Sequence, residues 1–327
     1  MNALKESKKK HLLSILKYLY LHQSSTMNEL VEDLQLSQPS IRNMVRTLQN
    51  KQLIQEVGND LSSGGRCPTR FALNEKNYLV LCLYIQDDKV FYQSRSFREI
   101  KKEGILFYQR DDELKKIVKD LINQDEIHCC QIAVEGIVYE DEYVTDHHNF
   151  FEKHDWLKEI KKEITTPIQL QNDVKMIHQG CYFTYQQDST YYLYINEVGV
   201  GSSYFYKDEP LYGNIGIMGE IGLISLKGKT INQQIRKCHS QEEFNEILGV
   251  LLSMIFTIID PKRLELSLDL KWQYEEKNIE NILNKIDEGC FKNIYFHKDI
   301  SSMLFDGLVY RGVIYLLKER IEENEKV

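Results

Sequence analysis

An α/β protein in two parts is predicted: an N-terminal winged helix-turn-helix and a larger, bilobed α/β body. Three observations carry this. Residues 26–73 hold two amphipathic helical stretches, then two short strand-like runs around a loop rich in Gly, Ser, Asn and Asp. From Tyr78 the pattern becomes strands followed by alternating helix and strand, and the same order begins again near Thr190. At 327 residues the chain has room for a small domain beside a two-lobed larger one.

A first helix carries Leu12, Ile15, Leu16, Leu19 and Tyr20 as the packing face for the next two helices. Thr26 with Glu29 three residues on is a capping box, and Leu30, Val31 and Leu34 recur at helical spacing behind it. Leu36-Ser37 makes a turn. Ser37 is a natural N-cap, and Pro39 sits in the first turn of the next helix, where its missing N–H costs nothing. On that helix Ile41, Met44, Val45 and Leu48 fall on one face, leaving Gln38, Arg42, Asn43, Arg46 and Asn50 outward, with Ser40 in the opening turn. Arg can take guanine O6 and N7, Asn and Gln can take adenine N6 and N7, and an Arg that misses a base edge can hold a phosphate. Residues 53–57 and 69–73 are the strands of a wing whose loop carries Arg66, placed near the DNA backbone or minor groove. The bland alternative is a helical pair that only packs or dimerises.

The formal charge of −8 divides unevenly. Residues 1–75 carry 10 Lys+Arg against 7 Asp+Glu, and the remainder 31 against 42. A mildly basic head on an acidic body fits a double-stranded operator as partner for the head alone, with a homodimer engaging two half-sites. Seven cysteines, with no C-x-x-C pair and no secretory leader, point to reduced thiols and a cytoplasmic location. No apolar run approaches the roughly twenty residues that span a bilayer, and 247–259 is the longest candidate.

In the body, strands are expected at 78–85, 89–94 and 105–108, a helix at 111–122, a strand at 128–134, a helix from about Asp155, a strand at 168–170 and a helix after Asp173. The second round reads strands at 191–195 and 202–206, an apolar helix at 247–259 and a strand at 264–268. Two such lobes imply a cleft between them. The resulting division is a head over 1–75 and a body over 76–327. Within the body, lobe 1 covers about 76–188, lobe 2 about 189–305 and a closing helix about 306–323.

Several ordered stretches resemble the ROK family, named for repressors, open reading frames and kinases. Gly64-Gly65-Arg66 with Pro68 and Leu73-Asn74 is similar to that family's wing end. Glu135-Gly136-Ile137-Val138, Asn149, Trp156, Pro167 and Asn172-Asp173 follow its first lobe. Gly199-Val200-Gly201-Ser202, Leu211-Tyr212-Gly213, Gly219-Glu220-Ile221-Gly222, Asp260-Pro261 and 307–317 follow its second. The resemblance implies an actin/hexokinase-like, ribonuclease H-like ATPase fold for the body, which in active members holds a sugar between the lobes with ATP beside it. It also implies that Asn172, Asp173 and Glu220 are the surviving sugar-contacting residues, Asp173 being the family's general base.

Departures from the family pattern set the expected function. Where the kinases carry an Asp and a Gly-Gly-Thr phosphate turn, this chain reads Tyr84-Ile85-Gln86-Asp87-Asp88, and two added carboxylates repel phosphate. The zinc cluster is missing: Leu223 stands at the His position, and only Cys238-His239 remain nearby, too few for a four-ligand site. Cys129-Cys130 read as buried strand residues. The expectation is therefore a transcriptional regulator, a repressor by the family's usual mode, with no catalytic residues, no cofactor and no metal. Its body would sense a sugar or sugar phosphate or only mediate dimerisation. A sugar kinase with an attached DNA-binding head is the alternative, kept open by Asp173, and a body without any effector is a third reading.

Overall fold

The structure, a computed structural model, describes residues 2–59, 67–147, 150–183, 188–275 and 293–323. Three helices open the chain: α1 (Asn2–His22), α2 (Met27–Leu34) and α3 (Gln38–Asn50). Thr26 accepts from the Glu29 N–H while the Glu29 carboxylate accepts from the Thr26 N–H, so both start-of-helix donors are satisfied. Gln35 then adopts a left-handed φ of 54° and turns the chain. Ser37 caps α3 by accepting from Ser40 N–H. Strands β1 (Ser25–Thr26), β2 (Ile54–Asn59) and β3 (Thr69–Leu73) form an antiparallel sheet in the order β1-β3-β2. Leu12, Ile15, Leu16, Leu19, Leu30, Ile41 and Leu48 are buried in the core of this unit. The expected tip of the wing, with Gly64, Gly65 and Arg66, lies outside the described residues, as does Asn149.

The body holds two five-stranded sheets of one topology. The first contains β4 (Val80–Gln86), β5 (Lys89–Arg95), β6 (Ile100–Phe107), β7 (Cys129–Val134) and β11 (Ile168–Asn172); the second contains β12 (Ser189–Asn196), β13 (Val200–Tyr206), β14 (Glu209–Pro210), β17 (Arg263–Asp269) and β18 (Ile294–Phe296). In each, the third, second, first, fourth and fifth strands lie side by side, the first three antiparallel and the last two parallel to the first. Alternation along the strands explains their double burial. Val80 and Cys82 of β4 face one core, while Leu81, Leu83 and Ile85 face another. Helices α4 (Asp111–Gln124) and α5 (Leu157–Glu163) cover the outer face of the first sheet; α7 (Ile231–Arg236) and α8 (Gln241–Ile258) cover that of the second.

Between the sheets lie α6 (Asp173–Tyr182) and α9 (Ile300–Glu323), which cross at a glycine on each helix. A Cβ on Gly180 would stand 1.9 Å from the Met303 carbonyl oxygen, and one on Gly307 would stand 2.0 Å from that of Met176. The backbones therefore touch, and no other residue fits at either position without displacement.

Several expectations need correction. The closing helix begins at Ile300, not near 306, and packs on α6, β4 and β7, so it serves the first sheet. It is also the one helix among the described residues long and apolar enough to cross a membrane, whereas no apolar run of that length was expected and 247–259 was read as the longest; most of it is buried in the core. Its apolar residues surround it because sheet, α6 and head all pack on it. A further three-stranded sheet, β8 (Ile137–Tyr139), β9 (Glu142–His147) and β10 (Phe150–His154), stands where no element was expected, its polar residues masking the alternation. Tyr20 packs outside the head core, among Phe97, Phe183 and Tyr310 of the body.

Candidate functional sites: an exposed helix face and an interlobe cleft

Helix α3 buries Ile41, Met44, Val45 and Leu48 and exposes Gln38, Ser40, Arg42, Asn43, Arg46 and Asn50. The 3.6-residue period produces this split directly, since the four apolar residues share one face. The Ser40 hydroxyl shares a 2.8 Å hydrogen bond with that of Ser37, so it helps close the cap. Arg70, by contrast, is drawn into the fold by Glu29 at 3.2 Å and by the Ser24 carbonyl oxygen.

The cleft gathers the residues that follow the carboxyl ends of the parallel strands, where open α/β sheets leave a crevice. Asp87 follows β4, Glu135 follows β7, Asn172 and Asp173 end β11 and begin α6, and Asn196 ends β12. With Glu220 and the first residues of β13 they line a cavity of about 280 Å³. The structure thus brings Asn172, Asp173 and Glu220 to one space.

Their environments differ. Asn172 is occupied on both sides: its Oδ1 caps α6 by accepting from Lys175 N–H at 2.9 Å, and its Nδ2 donates to the Gly136 carbonyl at 2.9 Å. Asp173 accepts from Val174 N–H at 2.8 Å through Oδ1. Burial, with the Glu135 carboxylate beside it, pushes the Asp173 carboxyl well above the usual carboxylate range. Glu135 accepts from Gln86 Nε2 at 2.9 Å. Glu220 is raised by burial against the opposing pull of Lys175, whose ammonium is lowered by its own burial and donates to the Met218 carbonyl. Four carboxyls, Asp87, Glu135, Asp173 and Glu220, against the Arg236 guanidinium and the Lys175 amine behind Glu220 make a cleft that disfavours anions and suits hydroxyl groups. Glu135 is present in the sequence only as part of a resemblance, and Lys175 goes unnoticed there; a position directly after a parallel strand is the signal that finds Glu135.

The glycine loop is self-satisfied. Asn196 Oδ1 accepts from Val198 N–H at 3.0 Å and Gly199 N–H at 2.9 Å, and Asn232 Oδ1 accepts from Val200 N–H at 2.8 Å. Asn232 is wedged so closely that a Cβ on Gly222 would lie 2.0 Å from its Oδ1. Glycines here admit the Asn232 side chain. Across the cleft, Asp87-Asp88 is the tight two-residue link between β4 and β5, Asp87 taking a left-handed φ of 52°. Its backbone is held by Tyr108, whose hydroxyl donates to the Asp87 carbonyl at 2.7 Å. Cys238 and His239 belong to the approach to α8: the Cys238 thiol donates to the Ser240 carbonyl and His239 N–H to Glu243. Cys129 and Cys130 are both buried in β7.

A sequence profile of the ROK family matches residues 98–262. The chain is 24% identical over 270 residues to the xylose repressor of Staphylococcus xylosus, covering 73% of this chain and 69% of that protein. Among solved structures, a ROK family transcriptional regulator, a homolog of the E. coli MLC protein, aligns at a TM-score of 0.65 and 14% identity over 95% of this chain and 99% of its own. A ROK family protein from Streptococcus pneumoniae TIGR4 in complex with sucrose aligns at 0.53 and 13% identity over 76% of this chain and 100% of its own. The ROK hexokinase from Thermus thermophilus aligns at 0.52 and 12% identity over 70% of this chain and 96% of its own. These structural likenesses describe the fold: α/β, with a body of the hexokinase-like kind.

Proposed function

This chain belongs to the ROK family, and we propose that it is a DNA-binding transcriptional repressor whose sugar-kinase-like body is a non-catalytic sensor. The carrying observation is α3, with Gln38, Arg42, Asn43 and Arg46 exposed on one face while the opposite face is locked into a three-helix core. In this reading residues 1–75 are a winged helix-turn-helix, α3 enters the major groove, Arg66 approaches the DNA backbone, and a homodimer in the cytoplasm spans two half-sites. Support comes also from the regulator whose fold matches over 95% of the chain, where the hexokinase matches over 70%.

The body, residues 76–327, takes a neutral polyhydroxyl effector in the cleft, with Asp173 and Glu220 as hydrogen-bonding contacts and Asn172 as the residue that positions Asp173. A sugar phosphate is disfavoured by the carboxyls there. Phosphoryl transfer needs donors around the phosphates, and the loop N–H groups of Val198, Gly199 and Val200 already have acceptors. Ligand closing the lobes would alter the presentation of the heads, so effector and operator change each other's affinity by one common factor.

Retention of the chain's own upstream DNA at physiological salt tests the first half, and the double variant Arg42→Ala/Arg46→Ala should lose specific retention; unchanged binding refutes the assignment. Thermal-shift screening against sugars, amino sugars and their phosphates tests the second, with Asp173→Ala expected to lose the shift. Sugar-dependent ADP release by the purified chain would restore the kinase reading.

A further inference from the structure

Away from the cleft, three side chains distant in sequence converge below the second sheet. Cys181 lies in the last turn of α6, Glu265 in the middle of β17, and His297 one residue beyond β18. Cys181 and Glu265 are fully buried, and the His297 side chain retains 16% exposure. Cys181 Sγ stands 3.1 Å from His297 Nε2, the same nitrogen faces a Glu265 carboxylate oxygen, and the three ligand atoms all lie within 4.8 Å of one another.

One imidazole nitrogen offers either a proton or a lone pair in a single in-plane direction, so it serves a sulfur and a carboxylate together poorly. A cation among the three atoms satisfies all of them. We propose that Cys181, Glu265 and His297 bind one divalent transition-metal ion, zinc by the chemistry of the set. Thiolate, imidazole and carboxylate together suit that borderline ion, whereas magnesium and calcium take oxygen ligands. Tetrahedral zinc with such ligands places neighbouring donor atoms roughly 3.5 Å apart; sulfur and nitrogen stand near that spacing, the Glu265 carboxylate must draw back from His297 to admit the ion, and the fourth vertex is left to water.

Surrounding groups hold two of the ligands. Arg263 Nε pairs with the other carboxylate oxygen of Glu265, and the His297 backbone is fixed by Leu266 and Ser267. Thiolate and carboxylate offset the ion's charge, Arg263 leaving one positive charge over in the cluster, and the thiol proton leaves to solvent on binding. The partly exposed edge of His297 is the way in. Because Cys181 is on α6 and the other ligands are on the second sheet, the ion would pin the helix that begins at Asp173 to lobe 2. The spacing of 181, 265 and 297 matches no sequence signature, and the expectation of a metal-free chain, drawn from the missing cysteine cluster, did not address it.

Full-length protein, stripped by chelator and titrated with cobalt(II), should show a thiolate-to-cobalt charge-transfer band that saturates at one ion per chain and disappears when zinc is added. The band should vanish in Cys181→Ser and persist in Cys238→Ser, and affinity should fall about tenfold or more in His297→Gln and Glu265→Gln. Absence of the band in the wild-type chain, or its survival in Cys181→Ser, overturns the site. Should Cys181→Ser not fold, unaltered cobalt affinity in folded His297→Gln overturns it equally.

Discussion

Replacing Glu209 with Gln should loosen the head from the body, because Glu209 sits at the junction of three elements. Lys17 of α1 reaches Glu209 at 3.0 Å and also pairs with Asp208, while Arg311 of α9 donates to Glu209 at 3.0 Å. Burial raises the Glu209 carboxyl, but Arg311 and Lys17 outweigh it and carry the pKa from 4.5 down to about 2. Taken at face value that fall is worth about 3 kcal/mol. The side chain is 47% exposed, however, so water screens the interaction and ~1 kcal/mol is the figure to expect. Because the folded carboxyl is the stronger acid, the contribution is complete above about pH 4.5 and is lost as pH falls toward 2. Urea unfolding of Lys17→Met, Glu209→Gln and the double variant at neutral pH should give a coupling of about 0.5–1 kcal/mol. Strict additivity would refute the junction. A coupling that stayed constant through acid titration would refute its electrostatic origin. The junction also bears on signalling: β13 forms the cleft wall at Val200–Ser202 and leads into the hairpin that carries Asp208 and Glu209.

Other outcomes rest on single contacts. Gly307→Ala drives a methyl toward the Met176 carbonyl 2.0 Å from its position, so about 1–3 kcal/mol of stability should be lost in denaturant titration, and a wild-type midpoint would show that the helices part easily. Thr26→Ala removes one half of the α2 capping box and should cost about 1 kcal/mol, measured the same way; no change would mean that β1 alone holds the turn. His178, fully buried between Ser203 at 2.6 Å and Thr190 at 2.8 Å, has its pKa lowered by burial from 6.5 to about 3. The unfolded chain therefore takes up a proton that the folded chain refuses, and stability should fall as pH drops below about 6.5. Melting temperature followed against pH should decline less steeply in His178→Gln, and parallel curves would exclude this histidine as a source of acid sensitivity.

Much of the architecture was legible in residue order. Capping at Thr26 and Ser37 and the apolar spacing of Ile41, Met44, Val45 and Leu48 are local signals, and each local rule is met in the head. Most strand positions in both sheets were readable because β-rich apolar runs are separated by turn residues, while the short β14 and β18 were not placed. Boundaries were less so: β6 begins at Ile100 because Lys101, Lys102 and Glu103 are strand residues on an exposed edge, where no apolar alternation is needed. β8 to β10 went unseen for the same reason. The surroundings of Asn172, Asp173 and Glu220 could not be read at all, since the weakened acidity of Asp173 comes from its burial and from Glu135, which follows another strand.

By itself the sequence determined the helices of the head, most strands of the two large sheets and which face of α3 stays in water, and it carried the expectation, through the family resemblance, that Asp87 and Asp88 stand where the kinases cradle ATP phosphates. Those properties depend on neighbours within a few residues, and backbone geometry converts them directly into periodic faces. Only the tertiary structure decided that α9 lies between the two sheets, that Tyr20 and Lys17 tie the head to the body, that Asn232 enters the glycine loop, and that Cys181, Glu265 and His297 meet. Each of these joins residues tens to hundreds of positions apart, and such contacts arise only when the sheets stack and bury their apolar faces, a condition that no local pattern encodes.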